Sequence, residues 1–166
     1  VSLHENGLLW AQKYGVALTW MNTYVDGRPV SERCGYQVEV NALWYNALCF
    51  VRDLDLRFGK GKLVQKTDNI IYKIRENYTR VFWCEERNHL ADYVDDRGQN
   101  VFTRPNQLMA CCVKYSPLDD ETKMAVLTAV KKELLTVRGI RSLSPKNPLY
   151  RGVYEDDQGS RDIAHF

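Results

Sequence analysis

The feature that most constrains this chain is an alternation in how its helix-length segments distribute their apolar residues. Residues 38–57 contain Asn41-Ala42-Leu43-Trp44-Tyr45-Asn46-Ala47-Leu48-Cys49-Phe50-Val51, apolar nearly all round, which predicts a helix buried on most sides. Residues 62–82 instead set Leu63, Thr67, Ile70, Ile71, Ile74, Tyr78, Val81 and Phe82 in one stripe at helical spacing. Lys66, Asp68, Lys73, Arg75, Glu76 and Arg80 occupy much of the rest. The pair then repeats. Residues 105–115 carry Leu108-Met109-Ala110-Cys111-Cys112-Val113 behind Pro105, a residue suited to a first helical turn. Residues 119–136 are one-sided again through Met124, Leu127, Val130, Leu134 and Leu135. Asp119, Asp120 and Glu121 suit the start of that helix, and Lys131 and Lys132 its last turns.

Buried, amphipathic, buried, amphipathic is the pattern of about two helical hairpins with an inner and an outer layer, an all-α architecture. A free-standing four-helix bundle fits less well, because two all-apolar helices would leave too much apolar surface exposed. The expectation is therefore a single partial domain over residues 1–166, part of a larger ring. Its exposed faces on helices 38–57 and 105–115 would favour self-association. Residues 5–37, 84–104 and 139–166 read as long irregular loops rich in aromatics, Arg, Asn and Gly, a layout that carries function more often than packing.

Composition removes several function classes. A net charge of +2 with both signs interspersed gives no footprint for nucleic acid. No apolar stretch approaches the roughly 18–20 residues that span a bilayer, so no membrane partner is expected. The five cysteines include no CxxC pair, and His4, His89 and His165 match no metal spacing. Reduced thiols and a cytoplasmic setting follow, with no metal and no cofactor expected.

The loops hold a series of motifs: Gly15-Val16-Ala17-Leu18-Thr19-Trp20-Met21-Asn22, Val38-Glu39-Val40-Asn41-Ala42-Leu43-Trp44-Tyr45-Asn46, Arg104-Pro105-Asn106-Gln107, Gly139-Ile140-Arg141-Ser142-Leu143-Ser144-Pro145, Tyr150-Arg151-Gly152-Val153-Tyr154-Glu155 and Arg161-Asp162. Together, in this order and nearly end to end, they closely resemble the C-terminal glucosidase domain of glycogen debranching enzymes, of the amylo-α-1,6-glucosidase type. The resemblance implies an (α/α)6 toroid of the six-hairpin glycosidase kind. It implies a branched α-glucan, glycogen or limit dextrin, as substrate, cut at its α-1,6-linked glucose stubs. It also implies an inverting mechanism, with one carboxylic acid protonating the leaving oxygen and one carboxylate activating water.

In two places the sequence departs from that family. Its Thr-Trp-Met motif is ordinarily followed by Asp, the general acid, where this chain has Asn22. A carboxamide has no proton to donate near neutral pH, although it can hydrogen-bond a glycosidic oxygen. The general base is expected after residue 166, so the fragment itself is expected to be inactive. The alternative is a non-catalytic carbohydrate-binding relative. As substrate-binding residues the motifs offer Trp20 as a sugar platform, with Glu39, Asn41, Trp44 and Tyr45 on the first buried helix. Arg104, Asn106 and Gln107 bring donors to a helix start, and Arg33, Arg141, Tyr150, Arg151 and Tyr154 resemble positions that organise the rim.

Overall fold

The computed structural model describes residues 1–165; the domain end expected at Phe166 lies outside them. Its two long helices form where the apolar periodicity is strongest. Helix α1 spans Val38–Phe58 and α2 Val64–Phe82, joined by a short turn. The third expected helix is shorter, a 3-10 turn at Pro105–Gln107 running into α3, Leu108–Cys112. Two local features stop it. Ser116 precedes Pro117, which disfavours helical backbone, and the Ser116 hydroxyl donates to the Ala110 carbonyl at 2.6 Å. Helix α4, Asp120–Glu133, begins on the Asp119 side chain, which accepts from the Thr122 amide at 2.8 Å. A further helix, α5, covers Gln158–His165 within what the sequence reads as loop.

The all-α expectation is corrected by the stretches between these helices. Eleven short strands are present among the described residues, paired antiparallel in five small sheets, so the fold is mixed α and β. β1 (Ser2–Leu3) pairs with β2 (Leu9–Trp10), and β3 (Tyr24–Val25) pairs with β4 (Arg28–Pro29). β5 (Tyr36–Gln37) pairs with β8 (Tyr93–Asp95), which also pairs with β9 (Gly98–Asn100). β6 (Trp83–Cys84) pairs with β7 (His89–Leu90), and β10 (Leu135–Thr136) with β11 (Gly139–Ile140). The physical reason is local. Asp26-Gly27 takes left-handed backbone at both residues and closes β3 onto β4, and Gly139, at a positive φ, begins β11 directly after the turn from β10.

The core lies where α1, α2, α3 and α4 meet. Ala42 and Leu48 of α1 pack with Ile74, Tyr78 and Phe82 of α2, Ala110 of α3, and Val126 and Val130 of α4. Complete burial of side chains such as Phe82 and Ile74 contributes about 1.5–3 kcal/mol each. The Tyr78 hydroxyl, fully enclosed, donates to the Val38 carbonyl at 2.8 Å and fixes α2 to the start of α1. The helix 38–57, expected to be buried on most sides, leaves Leu43, Phe50, Leu54 and Leu56 exposed.

The sheet β5–β8–β9 positions the site. β5 runs directly into α1, and the Val38 amide donates to the Asp92 carbonyl at 3.2 Å. Register thus places Asp92 against the first turn of α1. Gly35 makes the approach possible: its φ is +94°, and a Cβ there would sit 2.1 Å from the Val94 carbonyl oxygen.

Candidate functional site: a buried ion cluster beside an apolar cleft

Arg33 sits between two carboxylates. Its Nη1 and Nη2 donate to Glu39 Oε1 at 2.5 Å and Oε2 at 2.7 Å, a bidentate pair. Its Nε and Nη2 donate to Asp92 Oδ2 at 2.8 Å and Oδ1 at 3.1 Å, and Nη2 also reaches the Asp92 carbonyl at 2.9 Å. All three side chains are 5% exposed or less. Arg104 stands 3.8 Å from Asp92 Oδ2, so the cluster holds two cations and two anions. Burial disfavours the Arg33 charge, but Asp92 and Glu39 outweigh it and hold its pKa above the ordinary arginine value. For Arg104 burial prevails. Asp92 offsets it only in part and Arg33 adds repulsion, which leaves its pKa below the ordinary value.

From this cluster a line of hydrogen bonds leads to the surface. Asn106 Nδ2 donates to Asp92 Oδ1 at 2.7 Å, and Asn106 Oδ1 accepts from the Trp20 indole at 3.1 Å. The 3-10 turn opened by Pro105 sets Asn106 in place, and Met21, buried beside Trp20, turns its sulfur to the same carboxamide at 3.5 Å. Glu39, Asn106 and Trp20 border a cleft of about 390 Å³ whose other walls include Leu43, Pro105 and Met109. The exposed walls of the cleft are apolar, and Glu39 and Asn106, which contribute to its lining, are themselves buried. An apolar wall carrying an indole suits the C–H face of a pyranose, and a carboxylate beside it suits the hydroxyls. Among the described residues lining it, Glu39 is the carboxylate. Both of its oxygens are engaged by Arg33, and the side chain is 5% exposed.

The structure brings together five of the residues expected from sequence: Trp20, Arg33, Glu39, Asn106 and, through Asp92, Arg104. Asn22 follows Trp20 and Met21, is exposed, and is not in the cleft wall. Asn41 and Gln107 serve the backbone instead. Asn41, fully buried, accepts from the Leu9 amide at 2.7 Å and donates to the Leu9 and Gln37 carbonyls. Gln107 links the Arg104 carbonyl to the Leu90 amide. Trp44 donates to the Gly7 carbonyl at 3.2 Å and packs on the core, and Tyr45 is a core residue. Arg141 and Tyr150 pair with each other at 3.3 Å, while exposed Arg151 lines another depression with Glu155 and Ser160. Asp92, which joins every part of the cluster, has no motif around it. Its only mark in the sequence is an acid directly after the apolar pair Leu90-Ala91 in a segment that reads as loop.

The cleft, the tethered indole and the clamped carboxylate form one unit built from the Thr-Trp-Met-Asn, Val-Glu-Val-Asn and Arg-Pro-Asn-Gln motifs. A comparison with curated proteins yields no match. The family model described as amylo-alpha-1,6-glucosidase matches residues 1–166, and the chain belongs to that glycoside hydrolase family.

Proposed function

We propose that this chain holds the terminal glucose of a branched α-glucan in the cleft beside Glu39, on the leaving-group side of an inverting α-1,6-glucosidase site. The observation that carries the reading is the unbroken run Glu39–Arg33–Asp92–Asn106–Trp20, which fixes a carboxylate and an indole on the walls of one cleft. The glucose ring stacks on Trp20 and the apolar wall, and Glu39 accepts from one of its hydroxyls. Asn22 stands where the family places its proton donor, and its carboxamide orients the glycosidic oxygen without protonating it. In an inverting site the acid and base lie about 6.5–9.5 Å apart, with water between the base and the sugar.

A second reading, sugar binding without turnover, is favoured by one specific observation. Position 22, where the family places its proton donor, carries a carboxamide, which has no proton to give to a glycosidic oxygen. Titration of the protein with a branched limit dextrin, followed by calorimetry, tests the cleft under both readings. Trp20→Ala is expected to weaken binding about tenfold, the loss of roughly 1.4 kcal/mol of stacking. Unchanged affinity would contradict the assignment. Glucose release from the same dextrin by the naturally expressed protein that contains this sequence separates the hydrolase from the binder.

A further inference from the structure

A second and larger cleft, about 800 Å³, lies between α2 and the turn that joins α3 to α4. It is separated from the cleft beside Glu39 by α1 itself. Leu43 lines the first and Tyr45 the second, and two residues apart on a helix means about 200° around its axis. Along α3 and its exit the division repeats, with Met109 and Cys112 facing the first cleft and Lys114 and Tyr115 the second.

The walls of this second cleft are of a different kind. Three tyrosines, Tyr45, Tyr72 and Tyr115, alternate with charges of both signs, Arg75, Lys114 and Lys123 against Glu76 and Asp119. Much of that charge is already matched locally. Lys123 pairs with Asp120 at 3.0 Å, Lys114 lies 4.9 Å from the centre of the Tyr115 ring, and the Asp119 carboxylate caps α4. Tyr115 is itself held by a hydrogen bond from its hydroxyl to Asp53. Tyr72 stands at the rim, 64% exposed, one helical turn from Glu76. At the floor, burial pushes the Tyr45 hydroxyl up to about 12 against the pull of nearby Arg75, so it stays protonated and able to donate or accept.

These features select among ligand classes. A polyanion calls for a field of one sign, and this rim alternates. An amphipathic helix calls for an apolar groove, and these walls carry five charged side chains. Tyrosine rings with hydroxyl and charged partners between them suit a neutral ligand that presents hydroxyls at its edge and C–H bonds on its face. We propose that the cleft between α2 and the α3–α4 turn is a second carbohydrate site, taking a linear neutral oligosaccharide. That the oligosaccharide is an α-glucan rests on the proposed function. A site here would hold a branch of the polymer on the side of α1 away from the cleft beside Glu39.

The test is a titration of the isotope-labelled protein with maltoheptaose, read residue by residue by NMR. The wild type is expected to show two groups of shifting resonances, one around Tyr72, Arg75 and Tyr115 and one around Trp20. Tyr72→Ala and Arg75→Gln alter exposed rim residues, and circular dichroism reports whether each keeps its fold. Either is expected to weaken the first group about tenfold while leaving the Trp20 group unchanged. Shifts around Tyr72 with none around Trp20 would uphold this site and overturn the proposed role of the other cleft. Shifts confined to Trp20, no shifts at all, or displacement of the sugar by inorganic phosphate would overturn the second site.

Discussion

Removing the Asp92 carboxylate would leave the Arg33 and Arg104 guanidiniums to share the single charge of Glu39 in a space closed to water. A buried charge whose partner is deleted costs about 3–5 kcal/mol, much more than a surface pair would lose. Asp92→Ala is therefore expected to lower the unfolding free energy by about that amount in urea denaturation. A loss under about 1 kcal/mol would show that the cluster is solvated. His89 gives a second prediction at this scale. The buried ring fits a neutral state in which Nδ1 donates to the Leu90 carbonyl at 2.9 Å and Nε2 accepts from the Thr103 hydroxyl at 3.2 Å. Burial lowers its pKa below the ordinary 6.5; Arg87 adds to the fall, and the Leu90 carbonyl and Glu133 oppose it. The unfolded chain thus binds the proton more readily than the folded one. The stability is complete above pH 6.5 and is lost as pH falls below it toward the depressed folded value. Thermal melts between pH 7 and 5 should show that decline, and His89→Gln should flatten it.

At the level of elements, the approach of β5 to β8 depends on a missing side chain. Gly35→Ala would combine a left-handed φ of +94° with a 2.1 Å clash against the Val94 carbonyl. The expected cost is about 2–4 kcal/mol in a melting experiment, with weakened sugar binding because Asp92 immediately precedes β8. Helix α1 carries a different liability. Leu43, Ala47, Phe50, Leu54 and Phe58 follow one another at intervals of four, three, four and four, and all five are exposed. Sedimentation is expected to show concentration-dependent self-association of this chain, reduced by Phe50→Glu together with Leu54→Lys. A monomer at every concentration would contradict the expectation. The two long helices were legible from sequence because 3.6-residue periodicity accumulates over about twenty positions. Strands of two or three residues accumulate no such signal. Their traces are the turns, and Asp26-Gly27 was a readable one. Trp20, Glu39, Asn106 and Arg104 were legible as site residues because they fall within motifs. Asp92 was not, because it meets Arg33 across 59 positions through a sheet pairing that no local pattern announces.

Taken whole, the molecule keeps an apolar core, buries one ion cluster beside it and leaves an apolar stripe of α1 exposed. The ion cluster lies beside one cleft, α1 divides that cleft from a second one, and family membership ties the chain to glucoside chemistry. The central claim concerns one position: the cleft holds the sugar, and the residue standing for the proton donor is a carboxamide. The direct measurement is glucose release from a branched limit dextrin by the naturally expressed protein that contains this sequence, with Asn22 and as its Asn22→Asp variant. General acid catalysis contributes about 10²–10⁴-fold, so Asn22→Asp is predicted to raise the rate within that range, with little change in binding. Equal rates for the two proteins would contradict the account.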